Sequence, residues 1–211
     1  MKQIKDIKNK IEWEEYYNPD FDWGDWKFYS YNNDTLLTED FIREFQNEID
    51  WFLISIYHTL SEDFIRKFQN KVNWESISYH QKMSESFIRE FQDKINWNNI
   101  SCQKLSEDFI REFQDKVEWK NISINQDLSE SFIREFKDRV IWYWISGHQT
   151  LSEEFIREFQ DKVTWDHISC CQKLSIDFIR EFKDRIKWKY ISINQKISKT
   201  LKKEIKKELK S

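Results

Sequence analysis

The sequence predicts an all-α fold: an α-solenoid of about seven 23-residue two-helix repeats with degenerate terminal caps. Three observations carry that reading. First, one sentence, Leu105 to Asp127 (LSEDFIREFQDKVEWKNISINQD), is written seven times in near-identical form, starting at Leu37, Leu60, Met83, Leu105, Leu128, Leu151 and Leu174. Second, apolar residues inside each copy recur with helical spacing; Phe109, Ile110, Phe113 and Val117 form one stripe. Third, no copy can stand alone. Each buried apolar side chain contributes about 1.5–3 kcal/mol. Ordering each residue costs about 1.5 kcal/mol, so burial must come from the neighbouring copies. Stacked helix pairs supply it, and a right-handed superhelix of antiparallel pairs is expected.

Residues 1–36 read as degenerate N-terminal capping repeats. Ile7, Ile11 and Trp13 keep the spacing of the later Phe, Val/Ile and Trp positions, and Trp26 and Ser30 fall near register. The only Pro (Pro19) and one of two Gly (Gly24) lie here, so the chain turns irregularly. Terminal repeats depart from consensus because one face has no neighbour.

The regular array spans 37–196. In the fourth repeat Ser106 is a good N-cap, followed by Glu107 and Asp108 where the helix dipole favours negative charge. A first helix is predicted over 107–117, with Glu107–Arg111, Arg111–Asp115 and Glu112–Lys116 as i,i+4 pairs. A shorter second helix follows over 119–126. The third repeat lacks one residue between Cys102 and Gln103. Residues 197–211 read as a basic amphipathic capping helix: Ile197, Leu201, Ile205 and Leu209 recur every fourth position among seven Lys between Lys196 and Lys210. A basic patch for nucleic acid or acidic membrane is the sharper alternative for this segment.

Composition narrows the function classes. There is no Ala, and Phe, Ile, Asn and Lys are abundant, a bias that follows AT-rich coding. The formal net charge of −4, from 34 basic and 38 acidic residues, gives no general reason to expect a polyanion partner. No apolar run approaches the roughly 18 residues of a membrane span. The charged N-terminus lacks an apolar leader core, and three Cys argue against a disulfide framework. An intracellular, soluble setting is the expectation.

Laying the repeats over each other separates constant from variable positions. The Phe that opens FIREF and the Trp at the fifteenth position are constant, as expected of packing residues. The Ser four residues after each Trp is read as a small contact residue bonding back to a carbonyl. The repeated Arg is read as a structural ladder neutralised by acidic neighbours. By contrast, the two residues after Trp and the two after Ser vary freely. Phe52, Leu53, Tyr79, Lys120, Tyr143, Trp144, His148, His167 and Tyr190 are therefore the candidate partner-binding residues, with Tyr143, Trp144 and Tyr190 as anchors. A tolerant solvent face that drifts freely is the alternative; the aromatic and aliphatic residues at these positions favour binding, because a drifting face would be mostly polar.

Cys102, Cys170, Cys171 and His167 contain no C-x-x-C pair, and adjacent cysteines suit a tetrahedral metal poorly, so no metal site is expected. Neither a phosphate-binding glycine loop nor a catalytic triad is visible. No enzyme activity and no cofactor are expected.

The unit LSEDFIREFxDKVxWxxISxxQ resembles short tandem repeats in uncharacterised proteins of giant DNA viruses that infect amoebae. The resemblance covers 37–196 and implies a host-directed interaction role, in the host cytoplasm. A protein partner, which that resemblance makes a host protein, is the first expectation. A nucleic-acid-binding helical repeat and a structural virion or assembly component are the alternatives.

Overall fold

A computed structural model describes residues 37–47 and 49–194. The expected cap over 1–36 and the expected Lys-rich helix over 197–211 lie outside the described residues. Among the described residues are fourteen α-helices and no strand. The repeats open with α1 (Glu39–Glu44), α3 (Glu62–Lys67), α5 (Glu85–Glu90), α7 (Glu107–Glu112), α9 (Glu130–Glu135), α11 (Glu153–Glu158) and α13 (Ile176–Glu181). Each is followed by a second helix: α2 (Trp51–Tyr57), α4 (Trp74–His80), α6 (Trp97–Ile100), α8 (Trp119–Asn125), α10 (Trp142–His148), α12 (Trp165–Cys171) and α14 (Trp188–Asn194). The described residues fall into two compact units, one ending at Asn96 and one beginning at Trp97. In the first, α2 packs on α4; in the second, α8 packs on α10, α10 on α12 and α12 on α14. Second helix stacked on second helix is the arrangement of an α-solenoid. None of the described helices is long and apolar enough to cross a membrane.

The first helices begin as the sequence dictates. Ser106 Oγ accepts a hydrogen bond from the Phe109 N–H at 3.1 Å, and Thr38, Ser61, Ser84, Ser129, Ser152 and Ser175 cap their own helices alike. They end sooner than predicted: α7 stops at Glu112, not near Val117. Phe113 leaves helical geometry at φ −110°, ψ 28°, and hydrogen-bonded turns carry the chain to Val117. The cause lies in the next elements. A continuing helix would bond the Gln114 carbonyl to the Glu118 N–H. Instead that carbonyl accepts from the Trp119 indole N–H at 3.0 Å and from Arg139 at 2.8 Å. The Glu118 N–H goes to Ser101 Oγ of the preceding repeat at 2.8 Å. The expected Arg111–Asp115 pair therefore does not form: Asp115 pairs with Arg139 instead. The third repeat's missing residue shortens α6 to four residues. Its last turn closes with tighter i→i−3 bonds, Cys102 N–H to Asn99 O and Gln103 N–H to Ile100 O.

The core is the constant stripe. Phe64, Phe87, Phe109, Phe132, Phe155 and Phe178 are fully buried, as are the following Ile residues. Trp51, Trp74, Trp97, Trp119, Trp142 and Trp165 are half-buried and bridge repeats: Trp119 stacks on Phe132 with ring centroids 6.3 Å apart and meets Phe136 at 4.9 Å. A cation of the next repeat covers the exposed ring face, Lys71 over Trp51, Arg139 over Trp119 and Arg185 over Trp165.

Polar side chains tie the joints. The constant Ser bonds back to the Trp carbonyl, as the sequence suggested, Ser123 to Trp119 O at 2.7 Å. Its oxygen also accepts from the next repeat, the Ile141 N–H at 2.9 Å. The Gln that closes a repeat reaches across its joint to the preceding repeat. Gln149 accepts from the Leu128 N–H at 3.0 Å and donates to the Gln126 and Ser123 carbonyls at 2.8 and 3.4 Å. Gln81, Gln126 and Gln172 do the same. In the first repeat His58 stands in that position, accepting from the Leu37 N–H. The leading Glu of an opening helix reaches forward: Glu107 accepts from the Ser129 N–H at 2.6 Å, and Glu39, Glu62, Glu130 and Glu153 do the same. The seventh repeat places Ile176 there and lacks that carboxylate.

Candidate interaction surface on the second helices

The two variable positions after Trp are not equivalent. The first is exposed in every repeat: Phe52, Glu75, Asn98, Lys120, Tyr143, Asp166 and Lys189. The second is half-buried or buried, and in two repeats it turns toward the preceding one. Asn121 donates to the Asn98 carbonyl at 3.0 Å, and His167 bonds the Tyr143 carbonyl through Nδ1 at 2.8 Å. A carbonyl only accepts, so His167 Nδ1 carries the proton.

Of the candidate residues, Phe52 and Tyr79 are 51% and 70% exposed on α2 and α4 of the first unit, with Leu53 half-buried beside Phe52. Lys120 is exposed on α8, and Tyr190 on α14 is half-buried under Lys189. Four candidates come together on α10 and α12. Tyr143 meets Trp144 edge-on at 4.8 Å and His167 at 4.3 Å, and Trp144 meets His148 at 5.2 Å. Gly147 makes room for this: a Cβ there would lie 3.2 Å from His167 Nδ1.

Ile141 joins this group although variability after Trp did not point to it. It is 40% exposed and precedes Tyr143, itself 49% exposed. It occupies the N-cap of α10 and makes no side-chain cap bond. The same position elsewhere holds Asp50, which accepts from the Phe52 and Leu53 N–H groups, and Asn73, which accepts from Ser76. The missing cap residue was readable in the sequence as an apolar residue in a polar column.

The Arg ladder is neutralised, as expected, though partly by partners the sequence did not point to. Arg111 pairs with Glu107 at 3.6 Å and Asp108 at 2.8 Å on its own helix, and with Glu135 of the next repeat at 2.8 Å. The Glu135 hydrogen bond raises the guanidinium pKa above its already high ordinary value. Arg134 and Arg157 repeat the pattern with Glu158 and Glu181. The guanidinium also lies over a Phe ring, Arg111 over Phe132 at 5.1 Å.

One exposed pair makes a pH prediction. The Lys162 ammonium, 2.7 Å away, bonds the Asp138 carboxylate and holds its pKa below 3.8. A depressed folded-state pKa adds stability above the unfolded value, and that stability is lost as pH falls through the folded one. Asp138→Asn should therefore melt slightly below wild type at neutral pH. The two melting curves should converge as pH falls below 3.8. A gap that widens in acid would contradict the pairing.

None of the three cysteines forms a disulfide. Among the described residues no group of three or more His, Cys, Asp or Glu side chains could hold a metal ion. Compared with protein-family models, curated proteins and solved structures, the chain matches none.

Proposed function

We propose that this chain is a non-enzymatic repeat scaffold that binds a protein partner through exposed residues of its second helices. The best-formed part of that surface is Ile141 and Tyr143 with Trp144, His148 and His167 behind them. The observation that carries the reading is Ile141. An Asp or Asn there, like Asp50 and Asn73 in the first two repeats, would cap α10, contributing about 0.5–2 kcal/mol, whereas Thr164 in the sixth repeat makes no such bond. The chain forgoes that cap and presents an apolar side chain to solvent beside an exposed Tyr. Aromatic anchors ringed by less critical contacts are the usual centre of a protein interface. The resemblance to repeats of amoeba-infecting viruses makes a host protein the first partner to seek. Nucleic acid fits less well, because the repeated Arg side chains are engaged with Glu and Asp.

Ile141→Asp separates binding from folding. The variant should gain about 1 kcal/mol of stability from the new cap. It should also lose the proteins that the wild-type chain captures from amoebal lysate, as should Tyr143→Ala. Capture by both variants equal to wild type would sink the proposal. A lower melting temperature for Ile141→Asp would sink the capping argument alone.

A further inference from the structure

The four aromatic side chains that meet on α10 and α12 are set steeply to one another. Tyr143 and Trp144 stand at 89°, Trp144 and His148 at 72°, and Tyr143 and His167 at 65°. Rings set nearly at right angles form corners rather than one flat sheet. The framework indoles of the same two helices are already engaged. Trp142 Nε1–H donates to the Lys137 carbonyl at 2.9 Å, and Trp165 Nε1–H to the Gln160 carbonyl at 3.0 Å. Among the described residues nothing accepts from Trp144 Nε1–H or from the Tyr143 hydroxyl, and neither group is sealed from solvent. We infer that Tyr143 and Trp144 dock a proline-rich segment of the partner in polyproline II form. The inference rests on the second-helix surface proposed above.

The chemistry of the patch selects among the ways proteins recognise peptides. Ile141, Tyr143 and Trp144 carry no charge. At the exposed position after Trp the flanking repeats place Lys120 and Asp166, one of each sign. Charge therefore favours neither an acidic nor a basic peptide. Strand addition needs a sheet edge, and there is no strand among the described residues. A docked amphipathic helix keeps its carbonyls in its own i→i−4 bonds, so it offers little to the Trp144 and Tyr143 donors. A polyproline II segment has no internal hydrogen bonds, and its carbonyls stay open to a donor. Its prolines also lack the N–H that would go unmatched here. Pyrrolidine rings are apolar and rigid, so they enter aromatic corners at little ordering cost. Trp144 Nε1–H supplies the donor, the Tyr143 ring supplies the wall, and Ile141 extends the apolar strip. The single Pro of this sequence is Pro19, so the proline-rich segment belongs to a second protein.

The test uses the full chain and a fluorescein-labelled decaproline peptide, read by fluorescence anisotropy. The wild-type chain should bind it, and a Gly/Ser peptide of the same length should bind about tenfold more weakly. Tyr143→Ala should weaken decaproline binding about thirtyfold, as loss of an aromatic anchor does. Trp144→Phe keeps a ring and deletes the N–H, and should weaken binding about two- to tenfold. Lys183→Ala, exposed on the turn after α13, should bind as wild type. Circular dichroism equal to wild type shows that the variants are folded. No binding of decaproline, binding untouched by Tyr143→Ala and Trp144→Phe, or tighter binding of oligolysine or oligoglutamate would overturn the inference. A dimer in sedimentation that Tyr143→Ala breaks would overturn it too, and assign the patch to a second copy. Partner capture lost with Ile141→Asp, but no decaproline binding, would overturn the ligand class and leave the surface standing. Capture unchanged by Ile141→Asp and Tyr143→Ala would overturn the surface itself.

Discussion

Replacing Phe132 by Ala is expected to cost about 3–5 kcal/mol, the usual range for deleting a buried aromatic ring. Phe132 is fully buried and serves two repeats at once. It stacks on Trp119 of the preceding repeat, meets Phe136 of its own at 4.7 Å, and lies under the Arg111 guanidinium. Its loss therefore weakens a joint as well as a repeat. In a linear array, stability is close to a sum of repeat and nearest-neighbour terms. The whole chain holds only about 5–15 kcal/mol of stability, if it resembles ordinary proteins. Urea unfolding followed by Trp fluorescence should shift to a lower midpoint and broaden, as repeats on either side of the fifth come apart separately. A single transition within about 1 kcal/mol of wild type would contradict a shared aromatic joint.

The second large effect is expected at Gln149. Gln149→Leu keeps an apolar chain of similar bulk and deletes the polar joint. It strands the buried Leu128 N–H and the Gln126 carbonyl, each otherwise bonded to Gln149 at 3.0 and 2.8 Å. An unpaired buried group costs about 1–3 kcal/mol, so stranding two should cost the variant about 2–6 kcal/mol. Hydrogen exchange at the Leu128 amide should quicken more than at distant core amides. The first repeat supplies a control: His58 accepts from the Leu37 N–H in the equivalent place, at 3.3 Å. Gln149→His should therefore be milder than Gln149→Leu. Equal stability of Gln149→Leu and wild type would make the Gln series incidental.

The repeat boundaries, the Ser caps and the buried Phe and Ile stripe were readable because they are local. Period, capping and amphipathicity act within ten or so residues of one copy. The early stop of α7 was not readable, since it needs the Trp119 indole, Arg139 and Ser101 to take groups that a lone helix would keep. The joints were hidden for the same reason. Glu107 meets Ser129, and Arg111 meets Glu135, at separations that periodicity within a helix never samples. A signal existed nonetheless: the leading Glu is present in six copies and absent only where Ile176 replaces it. On the candidate surface, variability pointed to positions on the second helices. It did not distinguish the outward residue after Trp from the one that turns to the neighbour, and it overlooked Ile141, whose meaning comes from the cap it fails to make.

The joint bonds also have a direction. A leading Glu accepts from the copy that follows, and a closing Gln grips the copy before it, so each unit has an unlike head and tail. Units of that kind join in one sense only, and a fresh copy inserted between two that keep both groups meets compatible partners on both sides. Tandem duplication in the gene would then lengthen the protein without inventing a single new contact. The number of copies, and with it the reach of the surface, becomes a quantity that selection can adjust in whole steps.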